Sequence, residues 1–152
     1  MSTWSSIYRL RSVDQGELSF VHKGHPVIIK APAQVREEFV IGRNNMAIHY
    51  WFGRLAQRDW GIPFGSPAFT SSSAEPVGVL FSDMEKLLEQ IELALVNPYL
   101  RSKFFHVPKF NDEDYQSDWF ADDLTKAATV LHRLIREDET EPCIDGYAYE
   151  AG

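Results

Sequence analysis

The sequence predicts an α+β fold in which an N-terminal antiparallel sheet of about four strands packs against three to four helices. Strand-like composition and turn signals dominate residues 5–30, whereas apolar residues recur at helical spacing in residues 82–96 and 111–139. Of the 152 residues, 44% are hydrophobic, so the chain is long enough to bury a core as one globular domain, residues 1–152.

The first three strands are predicted in segments 5–13, 17–23 and 26–30. Gly16 closes a turn signal between the first two segments, and Gly24 with His25 joins the other two as a β-hairpin. We expect all three strands to share one antiparallel sheet. Val77–Phe81 would add a fourth strand, which is short and apolar enough to be buried.

Two helices are predicted before a long loop. Pro32 suits a first helical turn, and the apolar residues from there to Gly42 would share one face. A helix over residues 45–58 is favoured next, although periodicity leaves residues 46–53 open between helix and strand. Residues 61–76 contain two Gly, three Pro and four Ser, which predicts a long loop, either a lid or a disordered segment.

The next helix is predicted to begin at Ser82, with Glu85 three residues later at capping-box spacing. Its core stripe consists of Met84, Leu87, Leu88, Ile91 and Leu95. Pro98 disfavours helical backbone at the residue before it, so the helix should end there.

The most regular helical pattern lies in residues 111–139. Its apolar stripe consists of Phe120, Leu124, Ala127, Leu131, Leu134 and Ile135. Carboxylates crowd its beginning, where the partial positive charge of a helix N-terminus favours them. The tail, residues 143–152, is predicted either to dock through Tyr147 and Tyr149 or to remain loose.

The net charge of −7 is unevenly distributed along the chain. Residues 1–110 carry twelve basic and ten acidic side chains, whereas residues 111–152 carry three basic and twelve acidic ones. If residues 111–152 form one negative surface, it repels nucleic acid and anionic membranes and attracts basic partners. Solubility alone is the simpler explanation of the excess acidic charge. Residues 99–110 mix aromatics with only three cations, so nucleic-acid binding is not expected.

We therefore expect a partner-binding surface at the acidic start of the last helix. The predicted residues are Asp112, Glu113, Asp114, Tyr115, Asp118, Trp119, Asp122 and Asp123. The two aromatics would anchor the partner and the carboxylates would steer it. A calcium loop does not fit, because counting from Asp112 places Ser117 at the position that requires Gly and Asp123 at the position that requires Glu.

The expected function is a non-catalytic, cytoplasmic protein-binding module. One version is an inhibitor or immunity-type protein that neutralises a basic protein such as a nuclease toxin. The sequence contains no zinc-protease, nucleophile-elbow or phosphate-binding glycine motif, so no metal or cofactor is expected. Cys143 is the only cysteine, which suits a reducing compartment, and neither a signal peptide nor a membrane-spanning run is visible.

The alternative is a small enzyme without a recognised signature, with its site near residues 46–60 and loop 61–76. Its expected site residues are His49, Asp59 or an arginine, Trp51 and Trp60. A histidine in so apolar a stretch is more often a hydrogen-bonded core residue than a base. An assembly protein is the third class, and the sequence leaves the oligomeric state open.

Overall fold

The computed structural model describes residues 4–22, 24–60, 77–142 and 144–151, except for the side chains of 22 and 56–60. The strands are β1 (Trp4–Val13), β2 (Glu17–His22), β3 (His25–Lys30), β4 (Ala33–Arg43), β5 (Val77–Val79) and β6 (Ile144–Ala151). The helices are α1 (Met46–Trp60), α2 (Phe81–Val96), α3 (Arg101–Phe104), α4 (Asp112–Gln116) and α5 (Asp118–Asp138), with a 3-10 turn at Pro98–Leu100. These elements confirm the α+β class.

The four-stranded sheet has the order β4-β1-β6-β5, and every neighbouring pair in it is antiparallel. The hairpin β2–β3 is confirmed, but it forms a separate two-stranded sheet. The expectation that the first three strands share one sheet is therefore wrong. The physical reason is that β1 bonds to β4 along one edge and to β6 along the other, so β1 has no free edge with which β2 could pair.

Strand β4 lies where the sequence predicted a helix after Pro32, and that prediction is wrong. Ten residues of β1 pair with β4, from Trp4 opposite Arg43 to Val13 opposite Ala33. The buried face of β4 carries Glu37, followed at alternate positions by Phe39 and Ile41. A charged residue at an inward position hid the two-residue period from the sequence pattern.

Strand β1 also turns charged side chains inward. Arg9 and Arg11 lie on the same buried face as Ile7 and Val13, and Arg11 is 0% exposed. Arg9 donates to Glu37 through Nε (3.1 Å) and Nη2 (3.2 Å), and Arg11 donates to the same carboxylate through Nε. We call these three residues, Arg9, Arg11 and Glu37, the buried Arg–Glu network.

After β4 the chain forms helix α1. The alternatives left open for residues 46–53, helix or strand, are therefore decided in favour of helix. Asn45 starts it, because its Oδ1 accepts a hydrogen bond from the amide of Ile48 at 3.2 Å. Its nearly all-round apolar composition has a simple cause: Ile48, Trp51 and Phe52 are all buried. The predicted loop 61–76 lies outside the described residues.

Helix α2 begins one residue before the predicted Ser82, and its cap differs from the prediction. Asp83 Oδ2 accepts a hydrogen bond from the amide of Leu80 at 3.0 Å, while Ser82 and Glu85 are exposed. The end of the helix is as predicted, because Asn97 is the C-cap and Pro98 follows. Strand β5 confirms the buried strand before it, although that strand stops at Val79.

The last predicted helix is two helices with a break at Ser117. The apolar stripe of α5 is confirmed, since Phe120, Leu124 and Leu131 are buried in the core. The described part of the tail is not loose: Ile144–Ala151 forms β6 between β1 and β5. Helix α5 packs on β4 and on α2, and the core fills the space between these helices and the inner face of the sheet.

Candidate functional site

The predicted site lies at the start of α4 and α5, where two caps fix the backbone. Asn111 Oδ1 accepts from the amide of Asp114 (2.9 Å), and Asp114 Oδ2 accepts from the amide of Asn111 (3.0 Å). This reciprocal pair is a capping box. Ser117 then caps α5 by accepting from the amide of Phe120 at 3.3 Å. Asp114 therefore stabilises a helix terminus as well as adding charge.

Five of the eight predicted residues are exposed. They are Asp112, Glu113, Asp118, Trp119 and Asp122. We call the four carboxylates among them the acidic surface. Asp118 and Asp122 are four residues apart on α5, so they lie on the same face of the helix.

Trp119 is 48% exposed and stands beside the acidic surface. Its ring contacts Phe110 edge-on, with the ring centroids 5.6 Å apart. That contact holds the indole in place while leaving half of its surface to solvent. Of the two aromatic anchors expected from the sequence, Trp119 is in a position to contact a partner.

Asp123 occupies a different environment from the exposed acids. It is half-buried, and this burial raises the pKa of its carboxyl group, against the opposing charge of Lys126. Its backbone carbonyl accepts a hydrogen bond from Asn45 Nδ2 at 3.2 Å. Asp123 thus contributes more to the contact between α5 and the start of α1 than to the outer surface.

Tyr115 is a core residue, and the prediction that it anchors a partner is wrong. Its side chain is 5% exposed and packs edge-on against Phe110 and Phe120. Its hydroxyl accepts from the amide of Val107 (2.9 Å) and donates to the carbonyl of Val107 (3.2 Å). An aromatic residue among carboxylates looks exposed in the sequence, but the short helix α4 turns it inward.

Replacing Tyr115 with phenylalanine is expected to lower the free energy of unfolding by about 1–3 kcal/mol, because it leaves the buried amide of Val107 without its acceptor. The carbonyl of Val107 keeps its hydrogen bond from the amide of Phe110. Urea denaturation followed by circular dichroism measures this change. Tyr99→Phe is the matched control, since Tyr99 is 84% exposed and its hydroxyl can be replaced by water. Equal stability of the two variants would contradict the structural role of Tyr115.

An exposed apolar patch adjoins the acidic surface, and sequence reasoning missed it. Leu93, Val96 and Tyr99 are 44%, 86% and 84% exposed at the end of α2 and in the turn that follows. Leu93 and Val96 are three residues apart, hence neighbours on the helix. The signal was present in the sequence, because these two residues fall outside the core stripe of α2. We call Leu93, Val96 and Tyr99 the apolar patch.

A cavity of about 310 Å³ is lined by one residue of the apolar patch, Tyr99, and by one of the acidic surface, Asp112. Ser102 and Gln116 line it as well. Arg101 fixes this arrangement from beneath: its Nε donates to the carbonyl of Ala94 (3.0 Å) and its Nη1 to that of Tyr115 (2.9 Å). The end of α2 is therefore held against α4 by a buried guanidinium.

Of the side chains expected in the enzyme alternative, the structure describes His49, Trp51 and an arginine, Arg54. His49 is buried, and its Nδ1 lies 2.9 Å from the hydroxyl of Tyr149, which lies 3.1 Å from Ser5 Oγ. Burial raises the pKa of the Tyr149 hydroxyl. Trp51 and Arg54 line one cavity, and His49 is not among the residues that line it. The side chains of Asp59 and Trp60 lie outside the described residues.

The buried Arg–Glu network borders a further cavity of about 250 Å³, between the hairpin residue Phe20 and helix α5. Its cations are paired: Arg9 Nη1 donates to Glu137 (2.9 Å), and Arg11 Nη2 donates to Glu141 (3.0 Å). Arg9 and the neighbouring Arg133 hold the pKa of Glu137 below its usual range, against the opposing effect of burial. These ion pairs join the first strand to the end of α5, which is a structural role.

Among the residues that the structure describes, no group of three or more His, Cys, Asp or Glu side chains could hold a metal ion. His132 lies 3.1 Å from Glu92 on the surface between α5 and α2. None of the described helices is long and apolar enough to cross a bilayer.

No family model, curated protein or solved structure matches this chain. The function must therefore be inferred from the surface itself.

Proposed function

We propose that this protein is a non-catalytic, cytoplasmic binding module that recognises a basic protein through the acidic surface, Trp119 and the apolar patch. The observation that carries the proposal is the cavity lined by both Tyr99 and Asp112, because it places a highly exposed aromatic side chain beside a carboxylate. Protein interfaces combine an apolar, aromatic centre with a polar rim. An inhibitor or immunity-type protein that neutralises a basic partner is one form of this function.

Charge supports the choice of a basic partner. Residues 111–152 carry twelve acidic and three basic side chains, and the four carboxylates of the acidic surface are exposed to solvent. Their field raises the rate at which a cationic protein encounters this side of the molecule. The buried Arg101 keeps the apolar patch and α4 in a fixed arrangement, so little ordering is required on binding.

Reversing three carboxylates of the acidic surface tests the proposal. The chain is used to isolate its partner from the native host at low salt, and the affinity of the purified partner is then measured by calorimetry. Asp112→Lys, Asp118→Lys and Asp122→Lys in one variant should abolish binding, and raising the salt concentration should weaken the wild-type complex. Asp114 is left unchanged because it caps α4.

The matched control reverses three exposed acids elsewhere, Asp14, Glu17 and Glu139, which changes the net charge equally. This control should retain most of the affinity. A second variant, Val96→Ser with Tyr99→Ala, tests the apolar patch and should weaken binding although its net charge is unchanged. Unaltered binding by the Asp112, Asp118 and Asp122 variant would rule the proposal out. If the partner is an enzyme or toxin, its activity should fall at a one-to-one ratio, as an inhibitor requires.

A further inference from the structure

The cavity that Trp51 lines has a volume of about 270 Å³, lies between three helices and shares no lining residue with the cavity beside Tyr99. Helix α1 contributes Trp51 and Arg54 to it, and α2 contributes Gln90. Its position and lining make it independent of the proposed protein-binding surface.

The charged side chains of the described residues that line this cavity are positive, whereas the whole chain carries a net negative charge. Each of the three helices supplies one cation: Arg54 from α1, Lys86 from α2 and Lys103 from α3. Among the described residues that line it, none is a carboxylate. In a chain with a net charge of −7, three cations around one concavity make a local positive field that concentrates anions.

Part of the lining is rigid. Arg54 donates through Nη1 to the carbonyl of His106 (2.9 Å) and through Nη2 to that of Phe104 (3.1 Å), so its guanidinium is fixed. Trp51 is buried, and its Nε1 donates to Gln90 Oε1 at 2.8 Å. Burial lowers the pKa of Arg54, because it partly removes the guanidinium from water.

The remaining wall is apolar, formed by Leu55 and Phe104 beside the indole of Trp51. Lys86 and Lys103 are exposed, so their flexible ammonium groups can close on a ligand at the mouth. A phosphate group carries about −1.5 to −2 charges at pH 7, which suits three cations better than a single carboxylate does. We propose that this cavity binds a small phosphomonoester, with its phosphate at the three cations and its organic part against the apolar wall.

Isothermal titration of the full chain with adenosine 5′-monophosphate and with ribose 5-phosphate tests the proposal. At least one should bind saturably, and its parent without phosphate, adenosine or ribose, should bind at least about tenfold more weakly. Inorganic phosphate should also bind more weakly, because it cannot use the apolar wall. No saturable binding of either ester, or equal affinity for the parent compound, would overturn the assignment.

The variant Lys86→Gln with Lys103→Gln should weaken binding of the ester at least about tenfold, since both lysines donate to the phosphate. Both side chains are exposed, so the fold should be unaffected. Arg54 is left unchanged because it also holds the backbone at Phe104 and His106. The control, Lys30→Gln with Lys126→Gln, removes two exposed lysines elsewhere and should bind like the wild type. Equal affinity of the two double variants would contradict the site.

Discussion

Replacing Glu37 with alanine is expected to lower the free energy of unfolding by about 3–5 kcal/mol, because it leaves two buried guanidinium groups without their shared carboxylate. Glu37 is 2% exposed and accepts hydrogen bonds from both Arg9 and Arg11. Glu137 and Glu141 would still accept from these arginines, but through other nitrogens, Arg9 Nη1 and Arg11 Nη2, so the nitrogens that donate to Glu37 would lose their acceptor. Urea denaturation measures the change through its midpoint at constant slope.

Glu38→Ala is the control on the same strand. Glu38 faces the opposite side of β4, where it is half-buried and accepts hydrogen bonds from Tyr8 at 2.7 Å and from Ser6 at 3.4 Å. Removing it should cost less than removing Glu37, because a hydrogen bond between partly exposed groups contributes about 0.5–1.5 kcal/mol and leaves no buried charge unpaired. If Glu37→Ala were no more harmful than Glu38→Ala, the buried Arg–Glu network would not be a determinant of stability.

Deleting residues 144–152 is expected to abolish cooperative folding. Strand β6 lies between β1 and β5, so its loss removes the hydrogen-bonded neighbour of both. It also removes Tyr149, whose ring stacks on Phe52 in the core with the centroids 4.1 Å apart and the planes 10° from parallel. Thermal unfolding followed by near-ultraviolet circular dichroism should show no transition in the truncated chain.

Point substitutions on β6 separate the core face from the outer face. Tyr149→Ala should cost about 3–5 kcal/mol, as large-to-small changes of buried aromatics do. Glu150→Ala, on the neighbouring residue, should cost no more than about 1 kcal/mol, because Glu150 forms a partly exposed ion pair with Arg36. A truncated chain that still unfolds cooperatively would mean that β6 is dispensable.

Local pattern was sufficient where one face of an element is uniformly apolar. The stripe of α5, with Phe120, Leu124 and Leu131, was predicted because every third or fourth residue enters the core. The hairpin β2–β3 was predicted because Gly24 marks its turn, and it adopts a positive φ of 79° there. In both cases the pattern that predicts the element is local in the sequence.

Pattern failed where a buried position carries a charge. Glu37 occupies an inward position of β4, so the apolar residues of this strand appear at helical spacing in the sequence. The burial of Glu37 is explained by its ion pairs with the arginines of β1. Part of the predicted site failed for a related reason. Tyr115 stands among carboxylates in the sequence, yet the hydrogen bonds of its hydroxyl to Val107 place it in the core.

The sequence by itself determined the α+β class, the hairpin, helix α2, the apolar stripe of α5 and the concentration of acidic residues near its start, but it left residues 46–53 open between helix and strand. Periodicity, turn residues and charge are local properties, so they can be read along the chain. Only the tertiary structure decided the strand order, the burial of Arg9, Arg11 and Glu37, and the place of the apolar patch beside Asp112. Each of these depends on partners distant in sequence, because a buried charge or a central strand is stable only when the opposing group is in place.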